Sequence, residues 1–310
     1  MKRILAAGIG FLLAEAAMLV PVGGGMVTEP SAVNVPPKNV PLADISSEPP
    51  RSPLNLLFIH HSVGGRLLAA PGPDDAIASS ILRSHPEGGD LRRVLEQQGY
   101  TVHEASYGSE IGDATDRVDW LPKFRDKMDK VLSCDQNDRR LPDGQRNRIV
   151  VFKSCYPESM IGDEAALDRA RATLSALLPV FAQHPDVLFV FLTSPPLAPA
   201  VPANPLWKQL ARSVMGKPQP LARLARSGPL ARQLADWAAG PNGWLKGYPN
   251  NNVVAFDLFD VLTNHGKSDF LAYLTGGGTD SHPSREGNQR VAAELVPFLN
   301  RAVRRAGMAQ

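Results

Sequence analysis

The chain has 310 residues, of which 43% are hydrophobic and 21% charged, with a formal net charge of +2. That balance suits an ordinary soluble globular protein with a substantial core and excludes a chain too polar to fold. A near-neutral charge with one basic patch and no reader motif argues against a nucleic-acid partner.

Residues 1–22 open with Lys2 and Arg3 and continue through an apolar stretch broken only by Glu15. This reads as an export signal, which puts the protein in the periplasm or outside the cell. No clear small-x-small cleavage site stands out, so an uncleaved N-terminal membrane tether is the alternative. Residues 23–53 are rich in Pro, Gly, Ser and Val without a period, as in a flexible linker, and folding is expected to begin near Leu54. The folded domain then spans 54–305.

Five apolar, β-rich runs follow: LNLLFIH (54–60), TVHEAS (101–106), RIVVFKS (148–154), VLFVFLTS (187–194) and NVVAFDLF (252–259). Continuous apolar runs predict strands buried on both faces. Helical patterns lie between them. One ends at Gly99. A second, over 163–183, places Leu167, Ala170, Leu174, Leu177, Leu178 and Phe181 on one face, and the last begins after Ser284 as N-cap. Strand and helix in alternation predict a three-layer α/β/α sandwich around a five-stranded parallel sheet, flavodoxin-like in plan. In such sheets ligands bind beyond the carboxyl ends of the strands. The chain leaves those ends through HHSVGG, YGSEIGD, KSCYPES, TSPPLAP and DLFDVLTNHG, where its unusual polar residues gather. Cys134 and Cys155 are expected at opposite edges of the sheet, too far apart for a disulfide.

Ser62 directly follows the first strand, with Gly64 and Gly65 expected to give a tight, open turn. A serine hydroxyl becomes a strong nucleophile only when a base takes its proton. The candidate base is His282 in GGGTDSHPSREG, with Asp280 two residues earlier to set its tautomer. Taken alone, Ser62 reads more readily as a turn serine than as a nucleophile, and Asp280–His282 as an ordinary loop pair. Their common placement at the carboxyl ends of the strands, or before the final helix, is what points to a site.

FIHHSVGG at the first strand, a glycine after the second and an Asp/His pair before the last helix are similar to the SGNH (GDSL-type) hydrolase superfamily, over about residues 54–303. The resemblance implies an SGNH-type fold and a serine esterase that needs no cofactor. By that resemblance Ser62 is the nucleophile, His282 the base, Asp280 its partner and Gly108 a backbone oxyanion donor. Three departures stand out. His60 and His61 replace the usual Gly-Asp before the serine. KSCYPES lacks the family's oxyanion asparagine. Thr279 occupies the usual aspartate position, and the resulting Asp-x-His spacing is similar to that of alginate-type O-acetyltransferases. Ser154 is the favoured replacement donor, with Lys153 and the Cys155 amide as alternatives. His61, Lys153 and His265 are expected around the substrate. A metal site built from His60, His61, Asp280 and His282 is disfavoured, because adjacent strand residues point to opposite faces. Cys155 ranks behind Ser62 as a nucleophile.

Residues 196–247 break the alternation. They hold Trp207, Trp237 and Trp244 and seven basic residues (Lys208, Arg212, Lys217, Arg223, Arg226, Arg232 and Lys246) against one acid, Asp236. As a lid or pocket wall this insertion would attract an anionic polysaccharide or a membrane surface, with tryptophans stacking on sugars. A small helical excursion with its tryptophans inside explains the same residues. The expected activity is cleavage of an acyl ester, most simply acetyl, on an extracytoplasmic glycan or lipid. The alternatives are an O-acyltransferase for an envelope or secreted polysaccharide, and a non-catalytic glycan-binding protein on the same fold.

Overall fold

In the computed structural model, which describes residues 41–201 and 220–309, the chain runs in order through the following elements. The first are β1 (Leu54–Ile59), α1 (Ser62–Leu68), β2 (Ala70–Pro71), β3 (Asp75–Ala78), β4 (Ile81–His85), α2 (Leu91–Gln97) and β5 (Tyr100–Ala105). Then come α3 (Arg117–Asp126), α4 (Met128–Ser133), β6 (Cys134–Gln136), β7 (Arg139–Arg140), β8 (Ile149–Phe152), α5 (Glu164–Ser175) and α6 (Leu178–Phe181). The last are β9 (Leu188–Leu192), α7 (Pro220–Ala239), β10 (Val253–Phe256), α8 (Leu258–Leu262) and α9 (Arg285–Arg305).

All five apolar runs form strands. They pair in parallel in the order β10-β9-β8-β1-β5, the flavodoxin-like sequence of crossovers. The sheet has seven strands, not five, because β6 and β7 extend the β5 edge. β6 is parallel to β5, and β7 turns back against it. These strands are too short and polar to announce themselves in the sequence. A separate three-stranded sheet, β2-β4-β3, lies between α1 and α2 in the chain.

Alternation along the strands builds two cores. Leu56, Phe58, Val151, Val190 and Val254 pack on one face with α2 and α9. Leu57, Ile59, Phe152, Phe189 and Phe191 pack on the other with α3 to α7, where Trp120, Phe124, Phe152 and Phe181 meet edge-on or stacked. The helix expected over 163–183 divides at Leu177, with Pro179 entering the first turn of α6. The last helix begins where expected: Ser284 Oγ accepts the Gly287 N–H, and Val291, Leu295 and Leu299 are buried.

Two placements differ from expectation. Residues 41–53 dock on the domain, although their composition predicts a flexible linker. Leu42 and Ile45 pack inward, and side chains of α9 (Asn300, Arg301 and Arg304) bond the carbonyls of Ser47, Ile45 and Glu48. Cys155 follows β8, an interior strand, and Cys134 opens β6, which β7 covers on its outer side, so neither cysteine is at an edge; both are free thiols. The N-terminal 1–22 segment lies outside the described residues. No helix among the described residues is long and apolar enough to cross a membrane.

Candidate active site

β1 ends in the middle of the sheet, and its carboxyl end delivers His60, His61 and Ser62. Ser62 is not in a turn but at the first position of α1. Gly64 and Gly65 are required by close approach, not by backbone angle. A Cβ on Gly64 would lie 2.3 Å from His60 Cβ, and one on Gly65 would lie 2.0 Å from the Ser80 carbonyl oxygen. The glycines let α1 sit down on β1 and on the loop before β4.

The second part of the site comes from the far end of the chain. Asn288, near the start of α9, donates to the carbonyls of Glu87 and Pro283, and the Ser284 amide donates to the Tyr273 carbonyl. These bonds fix the segment just before α9, which carries His282. Across a separation of 220 residues, Ser62 Oγ lies 2.8 Å from His282 Nε2. His282 Nδ1 lies 2.6 Å from Asp280 Oδ1, which also accepts the His282 backbone N–H at 3.0 Å. With Nδ1–H donating to the carboxylate, the Nε2 lone pair faces the serine hydroxyl.

The electrostatics suit a base. Burial lowers the His282 pKa against the opposing pull of Asp280, and the Arg66 and Lys153 charges lower it further, so the ring is neutral at pH 7. Burial alone would raise Asp280; hydrogen bonds from the His282 ring and backbone, with the His282 and Arg66 charges, outweigh it and hold the carboxyl below its usual value.

Several residues at this site escaped the sequence reading. Arg66, one helical turn after Ser62, lies 3.9 Å from Asp280 Oδ2. Its i+4 spacing from the serine was a usable signal. Thr275 Oγ1 donates to the His282 carbonyl at 3.1 Å and bridges toward Asp280. Tyr156 sets its ring edge-on to His282 at 5.3 Å. Cys155, which the sequence did bring to this site, has its Sγ 4.0 Å from Ser62 Oγ. Tyr107 stacks on His61 at 3.7 Å between ring centres. Nothing in the local sequence distinguished these last two aromatics.

Other expected site residues lie elsewhere or are engaged otherwise. Gly108 has φ +80°, and its N–H already donates to Asp113 Oδ1 at 2.6 Å. It is therefore not a free oxyanion donor. Ser154 is fully buried and accepts the Trp120 indole N–H at 2.9 Å, so its hydroxyl belongs to the core. Lys153 is 0% exposed, and its Nζ has no hydrogen-bond partner among the described residues. It lies beneath the site and does not line a substrate wall. His265 is 53% exposed and bridges Asp260 and Glu294, away from Ser62. Its left-handed backbone (φ +54°) turns it to the surface after α8.

The two adjacent histidines diverge. His60 is buried against Glu104 at 2.8 Å, and Glu104 pairs in turn with Arg92. His61 Nε2–H donates to the Gly112 carbonyl at 2.9 Å, with Thr115 Oγ1 beside the ring. Among the described residues no group of three or more His, Cys, Asp or Glu side chains is arranged to hold a metal ion.

In the insertion, Trp244 is 3% exposed, donates to the Leu174 carbonyl and packs in the core, so it cannot stack on a sugar. Trp237 packs beside it. Arg232 is tied to Asp260, Asp269 and Thr263. Arg223 and Arg226 remain exposed on α7, while Trp207, Lys208, Arg212 and Lys217 lie outside the described residues.

No protein-family model matches the sequence, and no curated protein matches it at a significant level. Two solved structures share a general likeness. One is a provisionally assigned acylhydrolase from Bacteroides fragilis, with 13% identity and a TM-score of 0.39 over 86% of this chain and 96% of its own. The other is an acetyl xylan esterase from Butyrivibrio proteoclasticus, with 12% identity and a TM-score of 0.34 over 81% of this chain and 64% of its own.

Proposed function

We propose that this protein is a serine esterase of the SGNH type that removes a small acyl group, most simply acetyl, from an extracytoplasmic glycan or lipid. The observation that carries this reading is the unbroken contact from Ser62 Oγ through His282 to Asp280, at 2.8 and 2.6 Å. Hydroxyl, imidazole and carboxylate in that order form a proton path, and burial keeps the imidazole neutral and ready to accept.

Ser62 Oγ attacks the ester carbonyl while His282 Nε2 takes its proton. The resulting imidazolium is stabilised by Asp280. The imidazolium then protonates the leaving alcohol, and a water activated by the same nitrogen releases the acid and frees Ser62. The Ser62 N–H opens α1 and has no carbonyl partner within that helix, so it is available to the developing oxyanion. If a sugar hydroxyl replaced water in the second half, the same residues would perform acyl transfer. The Asp280-x-His282 spacing is the feature that favours this second reading.

The test is labelling with a fluorophosphonate probe and mapping of the adduct, beside hydrolysis of p-nitrophenyl acetate with and without glycan acceptors. The expected adduct is on Ser62. An adduct on Cys155, or none on folded protein, overturns the assignment.

A further inference from the structure

We propose that His60 is a positioning residue for catalysis: through its Nδ1–H it holds the peptide between His61 and Ser62, and so aims the Ser62 N–H at the oxyanion. The inference rests on the esterase reading and adds to it a buried residue that does not touch substrate.

Position 60 continues the face of β1 that carries Phe58, whose ring it meets edge-on at 5.0 Å, and it is 0% exposed. An apolar side chain there would simply extend the core, whereas a buried imidazole is costly unless both nitrogens are bonded. Both are. Nε2 lies 2.8 Å from Glu104 Oε2 on the neighbouring strand β5, and Arg92 of α2 pairs with the same carboxyl group. Nδ1 lies 2.9 Å from the His61 carbonyl oxygen. A carbonyl oxygen can only accept, so the hydrogen of this bond is on Nδ1.

That carbonyl belongs to the peptide unit that opens α1. Its oxygen also accepts the Gly65 N–H at 3.1 Å, so both of its lone pairs are taken. The other side of the same planar trans peptide is the Ser62 N–H, which points the opposite way. Fixing the oxygen therefore fixes the direction of the N–H. A hydrogen bond donated to the carbonyl also polarises the peptide and makes its N–H a stronger donor. The ring is held in place for this. A Cβ on Gly64 would lie 2.6 Å from His60 Cγ and 3.1 Å from Nδ1, so the first turn of α1 sits directly on the ring edge that makes the bond. Glu104 holds the opposite edge.

His60→Gln and His60→Asn separate the two ends of the ring. An asparagine amide nitrogen reaches the place of Nδ1 and a glutamine amide nitrogen the place of Nε2. Asparagine therefore keeps a donor for the His61 carbonyl, and glutamine keeps one for Glu104. On p-nitrophenyl acetate, His60→Gln is expected to lower kcat by about 10- to 100-fold with KM little changed, and His60→Asn to recover kcat to within about threefold of the wild type. The recovery should occur although His60→Asn removes more volume and lowers the melting temperature further. If His60→Asn falls as far as His60→Gln, or both lose kcat in step with melting temperature, His60 serves stability alone and the inference is overturned, with the esterase reading intact. Independently of activity, ring 1H–15N spectra of the wild type should show a slowly exchanging proton on His60 Nδ1, identified by its absence from His60→Gln. A bare Nδ1 overturns the inference whatever the kinetics. If the folded wild type neither hydrolyses the ester nor takes a fluorophosphonate label at Ser62, the esterase reading itself fails, even with Nδ1 protonated, and this inference fails with it.

Discussion

On the proposed esterase reading, the chemistry at Ser62 depends on a histidine kept neutral by burial and kept in one tautomer by a carboxylate. Removing either support should be visible in kinetics. Asp280→Asn should leave the fold intact and lower kcat by about 10⁴-fold, because the amide no longer requires the proton on Nδ1. Ser62→Ala should abolish the fluorophosphonate adduct and lower the esterase rate by about 10⁴-fold or more, read on p-nitrophenyl acetate. Arg66 offers a subtler test. Its positive charge lowers the His282 pKa, and only the neutral ring accepts the serine proton, so activity rises as pH rises through that pKa. Arg66→Gln removes one lowering influence. The acid limb of kcat/KM should therefore shift to higher pH, and a rate profile from pH 4 to 8 will show it. A limb that stays in place or moves to lower pH contradicts the electrostatic account. Ser62, His282 and Asp280 were legible in the sequence because their residue types are informative at the end of a strand and the start of a helix. Tyr107 and Tyr156 were not, since each owes its place to contacts far along the chain, and Thr275 was not because its bonds to Asp280 and the His282 carbonyl depend on the fold of the loop between them.

Among elements, α1 shows how tightly the site is built. A glycine inside a helix is ordinarily a weakness that alanine repairs by about 0.5–1 kcal/mol. Here the sign should reverse. Gly65→Ala drives a methyl group into the Ser80 carbonyl, 2.0 Å away, and Gly64→Ala drives one into His60. Each is expected to cost about 1–3 kcal/mol in urea denaturation and to lower activity by displacing Ser62. Stabilisation by either would mean that α1 does not press on its neighbours. The same element marks where patterns fell short. Gly-Gly after a strand reads as a turn, and only the proximity of His60 and Ser80 explains a helix there. In the 163–183 segment the apolar spacing was right, but Pro179 decided where the helix divides.

At the scale of the whole molecule, the two cores on either side of the sheet frame the carboxyl end of β1, and the segment leading into the last helix brings His282 to Ser62 there. The segment before β1 contributes to this frame. Ile45 is buried against the body that includes α9, and Ile45→Ala should cost about 2 kcal/mol of stability, measured by denaturant titration, while leaving the rate per folded molecule unchanged. A variant with wild-type stability would show that this segment rests on the domain without supporting it.

What the sequence determined by itself was what local periodicity and composition can carry. Five buried strands, their alternation with helices and the strand-end position of Ser62 all follow from apolar spacing within short windows, and so does Asp280–His282 before the last helix. The tertiary structure alone decided what depends on distance across the chain. It assigned His265 to the surface, Ser154 and Trp244 to the core, the Gly108 amide to Asp113, and Tyr107 to the face of His61. A side chain's chemical type is written in the chain, but its partners are settled only when crossovers bring remote segments together, because hydrogen bonds and close contacts act over a few ångströms of space and not along the sequence.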